Sequence, residues 1–257
     1  MKYRFMLLAL AFLSLLPGFS CANKGTAAEL AVSAGANFTD VLKECAALYE
    51  AEHPGAKIVL NFASTGVVAQ QIIAGAPVDV FFSATEKHAE MVAAKGLAVE
   101  GSRRTFLSNE IVVITRKGLR HTLSDPAGLL ADAVKIVALG SPENLAAGIA
   151  AKEALAFHGI HEKVAEKAAY GETVRQVLDY VVRGEADAGI VFYTDYLIAK
   201  EKVDLAYTFS KESHRPIIYP VLAVTGRPNE QKALEFVEFL SSEKAKGIFT
   251  RYGYRFL

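Results

Sequence analysis

Short apolar runs alternate along most of the chain with segments whose apolar residues recur at helical spacing. The first clear helix face is Phe38, Val41, Leu42, Cys45, Leu48 and Tyr49, at i, i+3, i+4, i+7, i+10 and i+11. That spacing turns one face of a helix toward a core. Glu52-His53-Pro54-Gly55 stops it, because proline and glycine cannot prolong a helix cheaply. Strands are expected at 30–32, 57–62 and 78–83, and helices at 65–74 and 86–94, with Gly75-Ala76-Pro77 and Gly96 as breaks. A β-α-β-α-β order implies a parallel sheet with helices on its faces.

The β-branched run Ile111-Val112-Val113-Ile114-Thr115 follows, and the alternation then restarts. Strands are expected at 135–139, 188–192 and 219–225, and helices at 147–157 and 173–182. One long amphipathic helix is expected over 230–248. The fold class is therefore α/β, with two units, no tandem repeat and no Pro/Ser-rich linker. Two lobes joined by crossing strands fit this pattern, with 111–115 and 219–225 as the candidate crossings. Lobe 1 would comprise 29–109 plus 220–257, and lobe 2 110–219.

The first 28 residues read differently. Lys2 and Arg4 precede an apolar stretch over 5–16, then Pro17-Gly18 and the small residues Ser20-Cys21-Ala22. This is the layout of a secretory signal peptide, and the apolar stretch is shorter than the ~20 residues of a membrane span. Cleavage is expected after Ala22 or Ala28. A lipid anchor on Cys21 is a third reading. Export would put the mature protein in the periplasm. Cys45, on the apolar face of a helix, reads as a buried thiol.

Charge and motifs exclude more than they include. Lys+Arg number 28 and Asp+Glu 28, so no basic excess points to nucleic acid. Two cysteines make neither a disulfide scaffold nor a Cys-rich zinc site. There is no P-loop and no dinucleotide-binding glycine turn. Phe62-Ala63-Ser64-Thr65-Gly66 lacks the first glycine of a nucleophile elbow. His158 and His161 read as solvated loop residues, and Asp79 and Asp195 as structural acceptors near strand ends. No enzyme and no cofactor are expected. A secreted hydrolase using Ser64 or Thr65 is the rival from another class, with no histidine paired to either in the sequence.

Four strand-to-helix junctions are small, polar or Ala/Gly-rich. They are Ser33-Ala34-Gly35-Ala36-Asn37, Ala63-Ser64-Thr65-Gly66, Asn144-Leu145-Ala146-Ala147-Gly148 and Tyr170-Gly171-Glu172-Thr173-Val174. Each helix start offers unpaired N–H groups and the positive end of a dipole. Converging starts can bind an anion without lysine or arginine.

At these junctions the chain resembles the periplasmic molybdate-binding proteins of ABC importers, from about Leu30 to Tyr254. Gln71-Ile72-Ile73-Ala74-Gly75-Ala76-Pro77-Val78-Asp79-Val80-Phe81, Ala147-Gly148-Ile149-Ala150-Ala151-Lys152-Glu153-Ala154-Leu155 and Gly189-Ile190-Val191 carry the likeness, together with 62–66 and 248–254. The resemblance implies a two-lobed periplasmic binding protein (type II), each lobe a mostly parallel sheet flanked by helices, closing on a tetrahedral oxyanion in the cleft. It implies a monomer that carries molybdate, and tungstate also, to a permease. Molybdenum would be held only as the oxyanion, and sulfate or thiosulfate is the nearer alternative ligand. Carried over by resemblance, the contacts are Asn37, Thr65, Ala147, Val174 and Phe192. The family commonly has serine where Asn37 stands and tyrosine where Phe192 stands, and phenylalanine cannot donate a hydrogen bond.

Overall fold

The computed structural model describes residues 28–119 and 123–257. The expected leader, its cleavage sites and Cys21 lie outside the described residues, except that Ala28 opens the first strand. In chain order the strands begin with β1 (Ala28–Gly35), β2 (Ala56–Ala63), β3 (Val80–Phe82), β4 (Arg104–Asn109), β5 (Ile111–Arg116) and β6 (Val137–Gly140). They continue with β7 (Ala168–Gly171), β8 (Ala188–Phe192), β9 (Val203–Thr208), β10 (Ile217–Ala223) and β11 (Arg255–Phe256). The helices are α1 (Thr39–Glu52), α2 (Thr65–Ile73), α3 (Glu86–Ala93), α4 (Ala146–Phe157) and α5 (His161–Ala165). After them come α6 (Val174–Val182), α7 (Tyr193–Ala199), α8 (Glu230–Leu240) and α9 (Glu243–Arg251).

The strands form two sheets, ordered β11-β4-β10-β3-β1-β2 and β7-β6-β8-β5-β9. Each holds three parallel strands, β2-β1-β3 in one and β7-β6-β8 in the other. The remaining pairs are antiparallel, so both sheets are mixed. The reason lies in the crossings. The chain leaves β4 at Asn109 and enters β5 at Ile111, in the other sheet, and it returns between Thr208 and Ile217. A strand arriving from the other lobe pairs antiparallel to the βαβ strands already there. Neither 111–115 nor 219–225 is shared between sheets; the crossings are the segments ahead of them. The first sheet resumes at Ile217, opposite Asn109, a little before the expected boundary at 220.

Alternation along β3 fixes which helices cover which face. Val80 and Phe82 belong to the main core with Val41, Leu42 and Cys45 of α1. Phe81 points the other way, into a second cluster with Val68, Ala69 and Ile72 of α2 and Ala89 and Val92 of α3. The main core runs through both lobes and includes Phe38, Phe82, Phe192 and Tyr219. Phe38 stacks on Phe82 at 4.3 Å and meets Tyr219 edge-on at 4.9 Å. Cys45 is a free, buried thiol, and burial pushes its pKa up to about 12.

The expected helix over 230–248 is two helices. Leu240 ends α8, and Ser242 caps α9 by accepting the Ala245 N–H. Apolar spacing continues through the break, which hides it from periodicity. Among the described residues, no helix is long and apolar enough to cross a membrane.

Candidate functional site

Parallel pairing places the four junctions. Gly35 of β1 lies opposite Ala63 of β2, so Asn37 and Thr65 follow adjacent strand ends. In the other sheet Gly140 of β6 lies opposite Gly171 of β7, so Ala147 and Val174 follow another adjacent pair. A Cβ on Gly35 would stand 2.6 Å from Asn37 Oδ1 and 3.2 Å from Thr65 Cγ2. A side chain at this position would push the Asn37 amide from its place.

The pairs face each other across the interlobe cleft. Ser64 Oγ donates to the Asn144 carbonyl at 2.6 Å, tying the start of α2 to the approach to α4. A Cβ on Gly66 would lie 2.8 Å from that carbonyl oxygen, so glycine is needed for the close approach. On the other side α6 packs against the short 3-10 helix at Ala36–Phe38, which carries Asn37. The lobes are thus in contact, with four helix starts converging between them.

These starts are short of partners. The first backbone bond of α2 runs from Val68 N–H to Ser64 O, and that of α4 from Ile149 N–H to Leu145 O. The N–H groups of Thr65, Gly66 and Val67, and of Ala146, Ala147 and Gly148, lie ahead of those ladders. Neither Ser64 nor Leu145 caps its helix with a side chain. Thr173 does cap α6, but through the Gln176 N–H, which leaves Val174 and Arg175 ahead of the ladder. Thr65, Ala147 and Val174 are each at most 1% exposed. Asn37 is 4% exposed, and its Nδ2 has no partner. A buried donor left unmade costs ~1–3 kcal/mol, so an acceptor entering this cleft would relieve several such costs at once. By contrast α3 and α9, away from the junctions, begin with capping Thr85 and Ser242.

The arginine beside the cleft is already engaged by two carboxylates. Arg175 follows Val174 in the chain. Its Nη2 donates to Asp40 of lobe 1 at 2.7 Å, and its Nε lies 2.9 Å from Asp195 Oδ1. That second contact is an ion pair by distance, without hydrogen-bond alignment. Asp195 is fully buried, and burial pushes its carboxyl up to about 6 against the pull of Arg175. Asp79 is structural: it accepts the Ala31 N–H at 2.8 Å and pairs with Arg227. Tyr254 donates its hydroxyl to the Asn37 carbonyl at 2.7 Å, which holds the 3-10 helix in place.

Thr65 has a partner that the sequence does not reveal. Its Oγ1 lies 2.9 Å from His88 Nδ1, with both residues buried. Burial pushes the His88 pKa down to about 4, so the ring is neutral at pH 7. A general base works best with a pKa near 7, so this pair is poorly suited to activate a nucleophile. Phe192 ends β8, is 1% exposed and meets Tyr219 edge-on at 5.9 Å. Tyr193 begins α7, and its ring lies beside Gly253 and Tyr196. His158 is half-buried, with its Nε2 enclosed and unpartnered, where a solvated residue was expected; His161 contacts Glu162. Among the described residues no His/Cys/Asp/Glu group could hold a metal ion. An open cavity between the lobes, lined by Thr85, Lys87, Ala146, Ile149 and Arg215, reaches the start of α4.

Comparison with known proteins gives consistent results. The family model described as bacterial extracellular solute-binding protein matches residues 30–255. A putative ABC transporter substrate-binding lipoprotein of Bacillus subtilis, YvgL, is 36% identical over 98% of each chain. The molybdate-binding protein ModA of Haemophilus influenzae is 33% identical over 92% of each. Among solved structures, the periplasmic molybdate-binding protein of Azotobacter vinelandii superposes with a TM-score of 0.78 at 27% identity, covering 88% of this chain and 98% of that one.

Proposed function

This chain belongs to the bacterial extracellular solute-binding proteins, and from that premise we propose that it captures molybdate in its interlobe cleft, accepts tungstate as well, and hands the anion to an ABC transporter permease. The observation that supports the reading is the meeting of buried helix starts from both lobes, one of them beside the 3-10 helix that carries the unpartnered Asn37 amide, with the neighbouring arginine already engaged by two carboxylates. Relatives named for molybdate at 33% and 34% identity support the choice of anion.

In this reading Asn37 Nδ2 and Thr65 Oγ1 donate from lobe 1, and the N–H groups of Ala147 and Val174 donate from lobe 2. Phe192 closes the pocket as an apolar wall. A donor-rich, acceptor-poor site suits a fully ionised dianion and disfavours a protonated one, whose O–H finds no partner. Sulfate matches in charge and shape, so size must exclude it. Charged hydrogen bonds contribute ~1.5–3 kcal/mol each, so the four donors supply about 6–12 kcal/mol before the ordering costs, enough for micromolar affinity at ~−8 kcal/mol. Closure of lobes 29–109/220–257 and 110–219 over the anion is the signal for the permease. The protein acts as a monomer in the periplasm, exported by its leader. Engagement of the N–H groups also relieves the uncapped helix starts, so binding and stability rise together.

A thermal-shift panel tests this. Molybdate and tungstate should raise the melting temperature, by the equivalent of ~2.7 kcal/mol at 100 times Kd, while sulfate, phosphate and chromate do little. A larger shift with sulfate or phosphate would overturn the assignment.

A further inference from the structure

His88 makes none of the anion contacts just described, yet it sits directly behind one of them. Its Nδ1 lies 2.9 Å from Thr65 Oγ1, and the residue is 2% exposed. The fold holds it there firmly. The His88 N–H donates to the capping Thr85 Oγ1 at 3.1 Å, and Ala89 and Val92 lock α3 against Val68, Ala69 and Ile72 of α2. The Thr65 hydroxyl has one proton to give, and a neutral imidazole has one N–H.

Two arrangements satisfy this pair. With Nδ1 bare, Thr65 donates to the ring and turns its lone pairs toward the cleft, where they repel an anion. With Nδ1 protonated, the ring donates to Oγ1, and the hydroxyl proton is free for the cleft. We infer that His88 is a positioning residue for the oxyanion: its Nδ1–H holds Thr65 as a donor toward the ligand, and oxyanion binding therefore selects the Nδ1–H tautomer. The inference rests on the oxyanion reading of the cleft. It also sharpens discrimination, because Nδ1–H occupies one of the two Thr65 lone pairs and leaves less acceptor capacity for a protonated anion.

The test is calorimetry with sodium molybdate on the wild type, His88→Phe, His88→Asn, Thr65→Val and the double variant His88→Phe/Thr65→Val. Asparagine returns an N–H donor close to the place of Nδ1, whereas phenylalanine fills the space without one. His88→Phe should weaken binding about tenfold and His88→Asn should stay within about threefold of wild type. In the Thr65→Val background His88→Phe should add less than about twofold, because the hydroxyl it positions is gone. Nitrogen-15 NMR of the wild-type imidazoles, with His88 assigned by its loss in His88→Asn, should show the Nδ1–H tautomer in the molybdate complex. Unchanged affinity in His88→Phe, an equal loss with and without the Thr65 hydroxyl, or an Nε2–H tautomer in the complex would overturn the inference. A wild type that binds neither molybdate nor tungstate would overturn the oxyanion reading itself, a failure seen before any variant is made.

Discussion

In the proposed site the two lobes bring different chemistry to the same cleft. Lobe 1 presents side chains, the Asn37 amide and the Thr65 hydroxyl, with His88 buried behind. Lobe 2 presents backbone, at Ala147 and Val174, whose side chains are apolar and buried. A side-chain donor can be deleted by one substitution. A backbone donor survives every side-chain change except to proline, which has no N–H. The lobe 1 half is therefore tunable residue by residue, while the lobe 2 half depends on the close packing of helix starts on strand ends.

The largest effect is expected where the lobes are joined by charge. Arg175→Met removes the partner of a fully buried carboxylate, Asp195, and the bond to Asp40 across the cleft. Breaking a buried pair costs ~3–5 kcal/mol, to be read from denaturant unfolding at pH 7. The sign of its pH dependence follows from Asp195. Its folded pKa is raised, to about 6 from 3.8, so the folded state binds the proton more tightly than the unfolded one. The cost of the buried charge is therefore present above about 6 and is relieved as pH falls toward 3.8. Losing Arg175 raises that pKa further, so the stability gap between wild type and variant should narrow on going from pH 7 to pH 5.

Next comes the backbone half. A Cβ on Gly148 would fall inside contact distance of the Gly140 and Ser141 carbonyl oxygens, which are main chain and cannot swing aside. Gly148→Ala should displace the start of α4 and weaken molybdate binding by about 3 kcal/mol, roughly a hundredfold, with ~1–3 kcal/mol lost in stability from overpacking. Calorimetry and thermal melts on the same sample separate the two. If affinity is untouched, lobe 2 does not bind through α4.

Thr65→Val breaks the side-chain half more gently. It keeps the β-branched shape and deletes one donor to a charged ligand, so a loss of ~1.5–3 kcal/mol in molybdate affinity is expected by calorimetry. Unchanged affinity would remove Thr65 from the site.

Much of this contrast can be read in the sequence, and some cannot. The four junctions stand out because small and hydroxyl residues at strand-to-helix turns have a local physical meaning. His88 does not, since a lone histidine in a helix carries no signal. Its contact with Thr65, 23 positions away, is made by the packing of α2 on α3. The Arg175–Asp40 bond spans 135 positions and exists only because two lobes meet. Strand β9 alternates Val203, Leu205 and Tyr207 with Asp204, Ala206 and Thr208, but it is short and mostly only half-buried, and its pairing with β5 is what defines it. The mixed pairing of the sheets follows from the crossings, which periodicity within a segment does not report.

The smallest effects concern Phe192 and Tyr193. Alternation along a strand would turn Tyr193 away from the side that Phe192 faces, but β8 ends at Phe192 and Tyr193 starts α7. The Tyr193 ring is placed by its neighbours Gly253 and Tyr196 instead. Phe192→Tyr should hold molybdate affinity or improve it by up to ~1.5–3 kcal/mol if the new hydroxyl reaches the anion, and Tyr193→Phe should change it little. A loss above tenfold in Tyr193→Phe, ~1.4 kcal/mol, would make Tyr193 the ligand-facing residue.

Two unlike halves are expected to hold one anion between them. A crystal grown with molybdate and measured at the molybdenum absorption edge tests it most directly. A single anomalous peak is expected in the cleft, with anion oxygens in hydrogen-bond reach of Asn37 Nδ2, Thr65 Oγ1 and the N–H groups of Ala147 and Val174. A peak in the open cavity beside Lys87 and Arg215, or one contacted by a single lobe, would contradict it.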